Sequence, residues 1–156
     1  MDLELFVTPG LGDASYLLAS GREAVLVDPQ RDAWRFLEVA RERGWRIRHV
    51  LETHVHNDYL SGALETQAAT GAEIAAPARG GYEFAHWAVD EGDAIEVGSL
   101  RLTAWATPGA GTATTARSHG SFSDITLPYT GTWSGTTGSA AIISTEVYAI
   151  DNWVGK

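Results

Sequence analysis

Glu52-Thr53-His54-Val55-His56-Asn57-Asp58-Tyr59-Leu60-Ser61-Gly62 sets two histidines and a carboxylate within five residues, directly after the apolar run Ile47 to Leu51. A strand that ends in His-x-His-x-Asp carries three metal-competent side chains on one loop. Neutral imidazole and carboxylate oxygen suit zinc or ferrous iron, and two or three such ligands with an open position make a catalytic site. The plain alternative is a polar loop that happens to hold two histidines. The surrounding sequence favours the metal reading.

On the N-terminal side, Leu3 to Val7 alternates as a strand does, Ser15 to Ala19 is a second strand, and Ala24 to Asp28 is a third. The third is continuously apolar up to its end, the pattern of a strand covered on both faces. Pro29 ends it. Asp32 is placed to cap a helix whose apolar positions Trp34, Leu37, Val39 and Ala40 share a face, with Gly44 as its stop. Arg46 to Leu51 is the strand that feeds the histidine loop. Ser61 or Gly62 opens a second helix, Ala63 to Ala69, ended by Gly71; Glu73 to Ala76 is a short strand, and Pro77 to Gly81 a loop. Asp93 to Trp105 reads as a hairpin turned at Gly98-Ser99. Strands alternating with helices, then hairpins, predict α/β layers.

The loop resembles the metal-binding motif of the metallo-β-lactamase fold, Thr-His-x-His-x-Asp-His, with Tyr59 in place of its last histidine. The spelling Glu-Thr-His-Val-His-Asn-Asp-Tyr-Leu-Ser-Gly resembles the persulfide dioxygenase branch, often fused to a rhodanese domain. So do Gly12-Asp13-Ala14-Ser15-Tyr16-Leu17-Leu18 and Val27-Asp28-Pro29-Gln30-Arg31-Asp32. The resemblance spans about residues 1–109. It implies an α/β fold: an incomplete αββα sandwich of that family, two helices on a mixed sheet, and a β-rich C-terminal tail. It further implies one iron rather than two zincs, which agrees with the loss of the second-site histidine to Tyr59. By the same resemblance His54 is a metal ligand, with His56 and Asp58 as further metal candidates. His56, Asp58 and Tyr59 are also candidates for catalytic or substrate-side groups. Asp28, at a strand end, is either a turn former or the orienter of a ligating histidine.

The family pattern then breaks. Where Thr-Pro-Gly-His supplies another histidine, this chain reads Thr107-Pro108-Gly109-Ala110. Where a strand ends in an aspartate ligand, the nearest match, Tyr129-Thr130-Gly131-Thr132, offers a hydroxyl. His119 is the candidate substitute imidazole, against its reading as an exposed loop residue; Asp124 or Asp151 could supply the carboxylate. His86 sits among aromatic residues and His49 within a strand, so both read as structural. Two domain segments follow: 1–109, the half that resembles the family, and 110–156, a Ser/Thr/Gly-rich β segment that completes it or is appended to it. Ser and Thr supply 15 of the last 47 residues, and Ile125 to Thr132 and Ala140 to Ile150 read as strands.

Length bounds the chain to one domain with a sizeable core: it has 156 residues. A formal charge of −9, from 11 basic and 20 acidic residues, argues against nucleic acid or an anionic membrane as partner. The sequence has no cysteine, no apolar run long enough to span a bilayer and no basic signal-like start, which points to the cytoplasm. Several functions stay open. One is a metal-dependent sulfur dioxygenase acting on a small-molecule thiol or persulfide. Another is a zinc hydrolase of thioesters or esters. The cofactor would be Fe(II) or Zn(II), weakly held if the two expected ligands are lost. The others are a non-catalytic descendant, a fusion or frame shift after Gly109, and a binding module built on Tyr129, Trp133, Tyr148 and Trp153. Assembly as a homo-oligomer is equally open.

Overall fold

The computed structural model describes residues 1–10 and 13–105, together with the backbone of 124–126. Six strands form one mixed sheet in the order β1-β2-β3-β4-β5-β6: β1 (Asp2–Val7), β2 (Ala14–Ser20), β3 (Glu23–Val27), β4 (Arg46–Leu51), β5 (Glu73–Pro77) and β6 (Trp87–Val89). β1–β2 and β2–β3 pair antiparallel, and β3 to β6 pair in parallel. Parallel neighbours need crossovers, and α1 (Trp34–Arg43) and α2 (Ala63–Thr70) supply two of them. A second sheet holds β7 (Ala94–Val97), β8 (Leu100–Trp105) and β9 (Asp124–Thr126), all antiparallel. Among the described residues no helix is long and apolar enough to cross a membrane.

The unbroken apolar spelling of β2 and β3 follows from the layers. Successive side chains of a strand point to opposite faces. Leu18, Val25 and Val27 therefore face the second sheet, against Ile95, Val97, Leu100 and Leu102. Leu17, Ala19, Leu26, Val50 and Ile74 face the helices, against Phe36, Ala40 and Ala63. Both faces are dry, so neither can be polar. Phe36 is fully buried and meets the Phe6 ring edge-on at 4.8 Å; truncating such a residue costs about 3–5 kcal/mol.

Two expectations for α1 fail. Trp34 is 66% exposed, and Phe36 takes the core position instead. Asp32 makes no capping hydrogen bond: Ala33 is the N-cap, and the Asp32 carboxylate pairs with Arg35 at 3.1 Å. The carboxylate is thus turned toward the Arg35 guanidinium and away from the first amides of the helix. The C-cap is as expected, with Gly44 at φ 69° accommodating the left-handed turn. The strand β6 was not expected from its short, aromatic-rich spelling. His49 lies within β4, and His86 bonds through Nδ1 to the Phe84 carbonyl at 2.8 Å between the rings of Tyr82 and Phe84. Ala110, His119, Thr132, Asp151 and the tail aromatics lie outside the described residues, as does the Asp124 side chain. Of the two tail strands expected, only the backbone at Asp124–Thr126 falls inside them.

Candidate metal centre

Parallel strands bring their C-terminal ends to one edge of the sheet, and there the loops after β3, β4 and β5 meet. Asp28 follows β3 directly, with its amide bonded to Leu51 O at 2.8 Å. Residues 52–62 follow β4. An anti bridge between Gln30 and Ser61, and the Gly62 amide on Pro29 O at 2.8 Å, clamp the far end of this loop to the β3 exit. Gly62 is required at the clamp, because a Cβ there would overlap the Gln30 carbonyl oxygen.

One ligand-competent atom from each of Asp28, His54 and His56 lies within 4.8 Å of the other two. Hydrogen bonding then assigns the nitrogens. The Asp28 carboxylate, 3% exposed, accepts from the Thr53 amide at 2.7 Å and from Thr53 Oγ1 at 2.5 Å. A hydroxyl has one proton to give. With that proton on Asp28, Thr53 Oγ1 accepts from His54 Nδ1, 2.8 Å away. The lone pair of His54 therefore sits on Nε2. At His56, Nε2 lies 2.9 Å from Tyr59 Oη, 3.1 Å from Asp28 Oδ1 and 3.5 Å from Glu52 Oε2. Tyr59 donates its own proton to Asp28 O at 3.3 Å. Three oxygens around Nε2 place its proton there and the lone pair on Nδ1. The two imidazoles, with centroids 4.1 Å apart, thus present their Nε2 and Nδ1 lone pairs toward a shared ligand.

This donor set fits a borderline-soft divalent ion. Asp28 already accepts at both oxygens, so its geometry is that of an orienter behind the histidines. It holds φ 49°, the left-handed region, as the sole non-glycine to do so among the described residues, and strain of this kind persists where surrounding bonds over-determine it. Asp58 is half exposed, with Oδ1 3.9 Å from His56 Nδ1. Tyr59 stacks on His56 at 4.2 Å. Burial, then the charges of Asp28, Glu52, Asp13 and Asp58, push the Tyr59 phenol far above its usual range and keep it neutral.

Several residues of the site were given no role by sequence reasoning. Glu52 is buried, takes a hydrogen bond from Ser61 Oγ and leaves Oε2 without a hydrogen bond, facing His56 Nε2 at 3.5 Å. Burial, then the adjacent Asp28, push its carboxyl well above the usual range, with the Ser61 bond opposing. Tyr82, in the loop after β5, folds its ring against Gly80 and buries an unpartnered hydroxyl. Burial, then Glu52 and Asp28, raise that phenol too, so it faces the same carboxylates. Asp13 accepts from Gln30 at 2.8 Å; desolvation and then Asp58 raise it, while the Gln30 bond and His56 oppose. Signals existed: a glutamate running an apolar strand into the loop, and the Gly80-Gly81 pair before Tyr82. Behind Glu52 and Thr53 a cavity of about 30 Å³ opens between the sheets, lined by Leu51, Ala75, Ile95 and Leu102. That is room for about one water.

The profile of the Metallo-beta-lactamase superfamily matches residues 8–152. A hydroxyacylglutathione hydrolase of Methylobacterium nodulans is 42% identical over 80 residues, covering 50% of this chain and 31% of that protein. The mitochondrial persulfide dioxygenase ETHE1 of Bos taurus is 34% identical over 103 residues, covering 61% of this chain and 39% of that protein. Among solved structures, ETHE1 from Myxococcus xanthus superposes with a TM-score of 0.66 at 29% identity, covering 70% of this chain and 49% of that one. A metallo-beta-lactamase of Staphylococcus aureus gives the same TM-score at 33% identity, covering 70% and 35%. The chain spans between 31% and 52% of the length of these and similar curated relatives.

Proposed function

The chain belongs to the metallo-β-lactamase superfamily, and from that premise we propose that it holds a single divalent ion, Fe(II) ahead of Zn(II), and acts on a small-molecule persulfide. The observation that carries this reading is the Tyr59 contact. In the place where a further histidine would serve a second metal, Tyr59 is engaged with His56 Nε2 and the Asp28 carbonyl. A neutral, half-buried phenol already engaged in hydrogen bonds is a poor metal ligand, so one ion is favoured over two. His54 and His56 would hold it through Nε2 and Nδ1, and Asp28, Thr53 and Tyr59 keep those nitrogens unprotonated. Such an ion, when bound, would supply activation of dioxygen and of the substrate sulfur. The chain's own part is orientation and exclusion of water: Glu52, Tyr82 and Asp28 wall the inner side, and half-exposed Asp58 stands at the mouth.

A second reading, hydrolysis of a thioester on zinc, is favoured by the names of the relatives called hydroxyacylglutathione hydrolase. The same donors would serve it. The deciding experiment loads the full chain anaerobically with Fe(II), and separately with Zn(II). It then measures oxygen uptake with glutathione persulfide and release of thiol from a hydroxyacylglutathione. Oxygen uptake only with Fe(II), abolished by His54→Ala, supports the persulfide reading. Thiol release with Zn(II) and no oxygen uptake with Fe(II) supports the hydrolase. Neither activity, with no metal retained, overturns both.

A further inference from the structure

At the opposite end of the parallel strands, a groove of about 560 Å³ runs between α1, the β2–β3 turn and the start of β4. Its floor is apolar, from Leu37, Ala40 and Ile47, and the half-buried Trp45 forms one wall. Its rim carries Arg22, Arg41 and Arg46, all exposed. The Arg46 amide bonds to Arg22 O at 2.7 Å, so two of these side chains leave adjacent backbone positions. None of the three forms an ion pair among the described residues, although the chain carries nine more acidic than basic residues, 20 against 11. Neighbouring arginines are engaged: Arg43 with Glu4 and over the Trp45 ring, Arg48 with Glu23. Glu23 also lines the groove, but it is held by Arg48 and by the Gly98 amide. The last carbonyls of α1 are answered by the amides of Gly44 and Trp45, so the arginines are not needed to cap them.

We propose that this groove binds a phosphorylated small molecule with a planar apolar body, of the nucleoside diphosphate class. Its volume lies in the range of small-molecule sites, which combine an apolar lining with a few placed polar groups. Guanidinium forks match phosphate oxygens in pairs. The Trp45 wall and aliphatic floor give a planar ring a face to lie on. The carboxylates of the metal edge repel such an anion, whereas the arginine rim draws it in.

The test titrates ADP, adenosine and inorganic phosphate into the full chain by calorimetry at low salt, with chelator present. The expected result is saturable one-to-one binding of ADP, weaker binding of adenosine and of phosphate alone, and loss of affinity with added salt. The double variant Arg41→Gln with Arg46→Gln should weaken ADP by about tenfold or more, since each lost charge-assisted bond is large on that scale. Arg101→Gln, on β8 of the other sheet, should leave ADP binding unchanged. Absence of saturable ADP binding overturns the proposal, as does equal affinity in the double variant. Phosphate binding as tightly as ADP would also overturn it, because the apolar groove would then contribute nothing. Chelator makes the outcome independent of the metal edge.

Discussion

Thr53→Val tests the hydrogen-bond chain that sets the metal donors. The change keeps the shape of a side chain that is 1% exposed and removes one hydroxyl. Asp28 loses its 2.5 Å donor, and His54 Nδ1 loses its 2.8 Å acceptor, while the Thr53 amide stays on Asp28 Oδ1. A bond to a charged group contributes about 1.5–3 kcal/mol and a neutral one about 1, so the loss should be roughly 2–4 kcal/mol. Thr53→Ser keeps both bonds and loses one methyl, costing about 1 kcal/mol. Urea unfolding of both variants measures this. Long-range ¹⁵N–¹H spectra of the histidine rings read the tautomer directly: His54 should be protonated at Nδ1 in the parent and in Thr53→Ser, and should shift toward Nε2 in Thr53→Val. Metal affinity should fall about 10- to 100-fold with it, the usual effect of losing an orienting partner. If Thr53→Val is as stable as Thr53→Ser and its His54 tautomer is unmoved, the assignment of donors is wrong.

Gly62→Ala should destabilise the fold by roughly 1–3 kcal/mol or more, because the added Cβ meets backbone at Gln30 rather than a movable side chain; thermal unfolding checks it, and an unchanged midpoint would contradict the clamp. Burial lowers the His49 pKa below 6.5, helped by Arg48 and opposed by Glu73 and Glu23. The unfolded chain therefore takes up this proton first, and the His49 contribution to stability is full above about pH 6.5 and is lost as pH falls through the lowered folded value. His49→Gln should flatten that part of the stability–pH curve, and an unchanged slope would refute the cause. From the sequence match alone, Ala110→His with Thr132→Asp should raise Fe(II) or Zn(II) affinity, so that metal raises the melting temperature. The gain should vanish with His54→Ala, and no gain would mean the tail is misaligned.

The strands and crossovers were legible because their causes are local. A period of two with both faces buried spells β2 and β3, and Gly44 and Gly71 mark helix ends through their backbone freedom. The His54-His56 pair was legible because strand and loop are contiguous. What failed depends on distant partners. Trp34 and Phe36 are both large and apolar, and which of them is buried depends on how α1 is set against the sheet residues Leu17, Leu26, Val50 and Ile74. Asp28 looked like a turn residue as much as an orienter, since its partner Thr53 is 25 positions away. Tyr82 is marked in the sequence only by the Gly80-Gly81 pair before it; its place comes from β5 lying beside β4, which puts the two exit loops side by side.

The distance between Asp28 and Thr53 also sets an order of events. His54 and His56 are two residues apart and can meet a metal ion in any extended chain, whereas Asp28, which takes the protons of the Thr53 and Tyr59 hydroxyls, waits for β3 and β4 to pair. An ion present from the start can be caught by histidines whose protons are not yet sorted, and binding to the unfolded chain subtracts from the stabilisation it gives the folded one. Metal supplied after refolding should therefore be the more productive route, with Asp28 acting as the late arrival that completes the site.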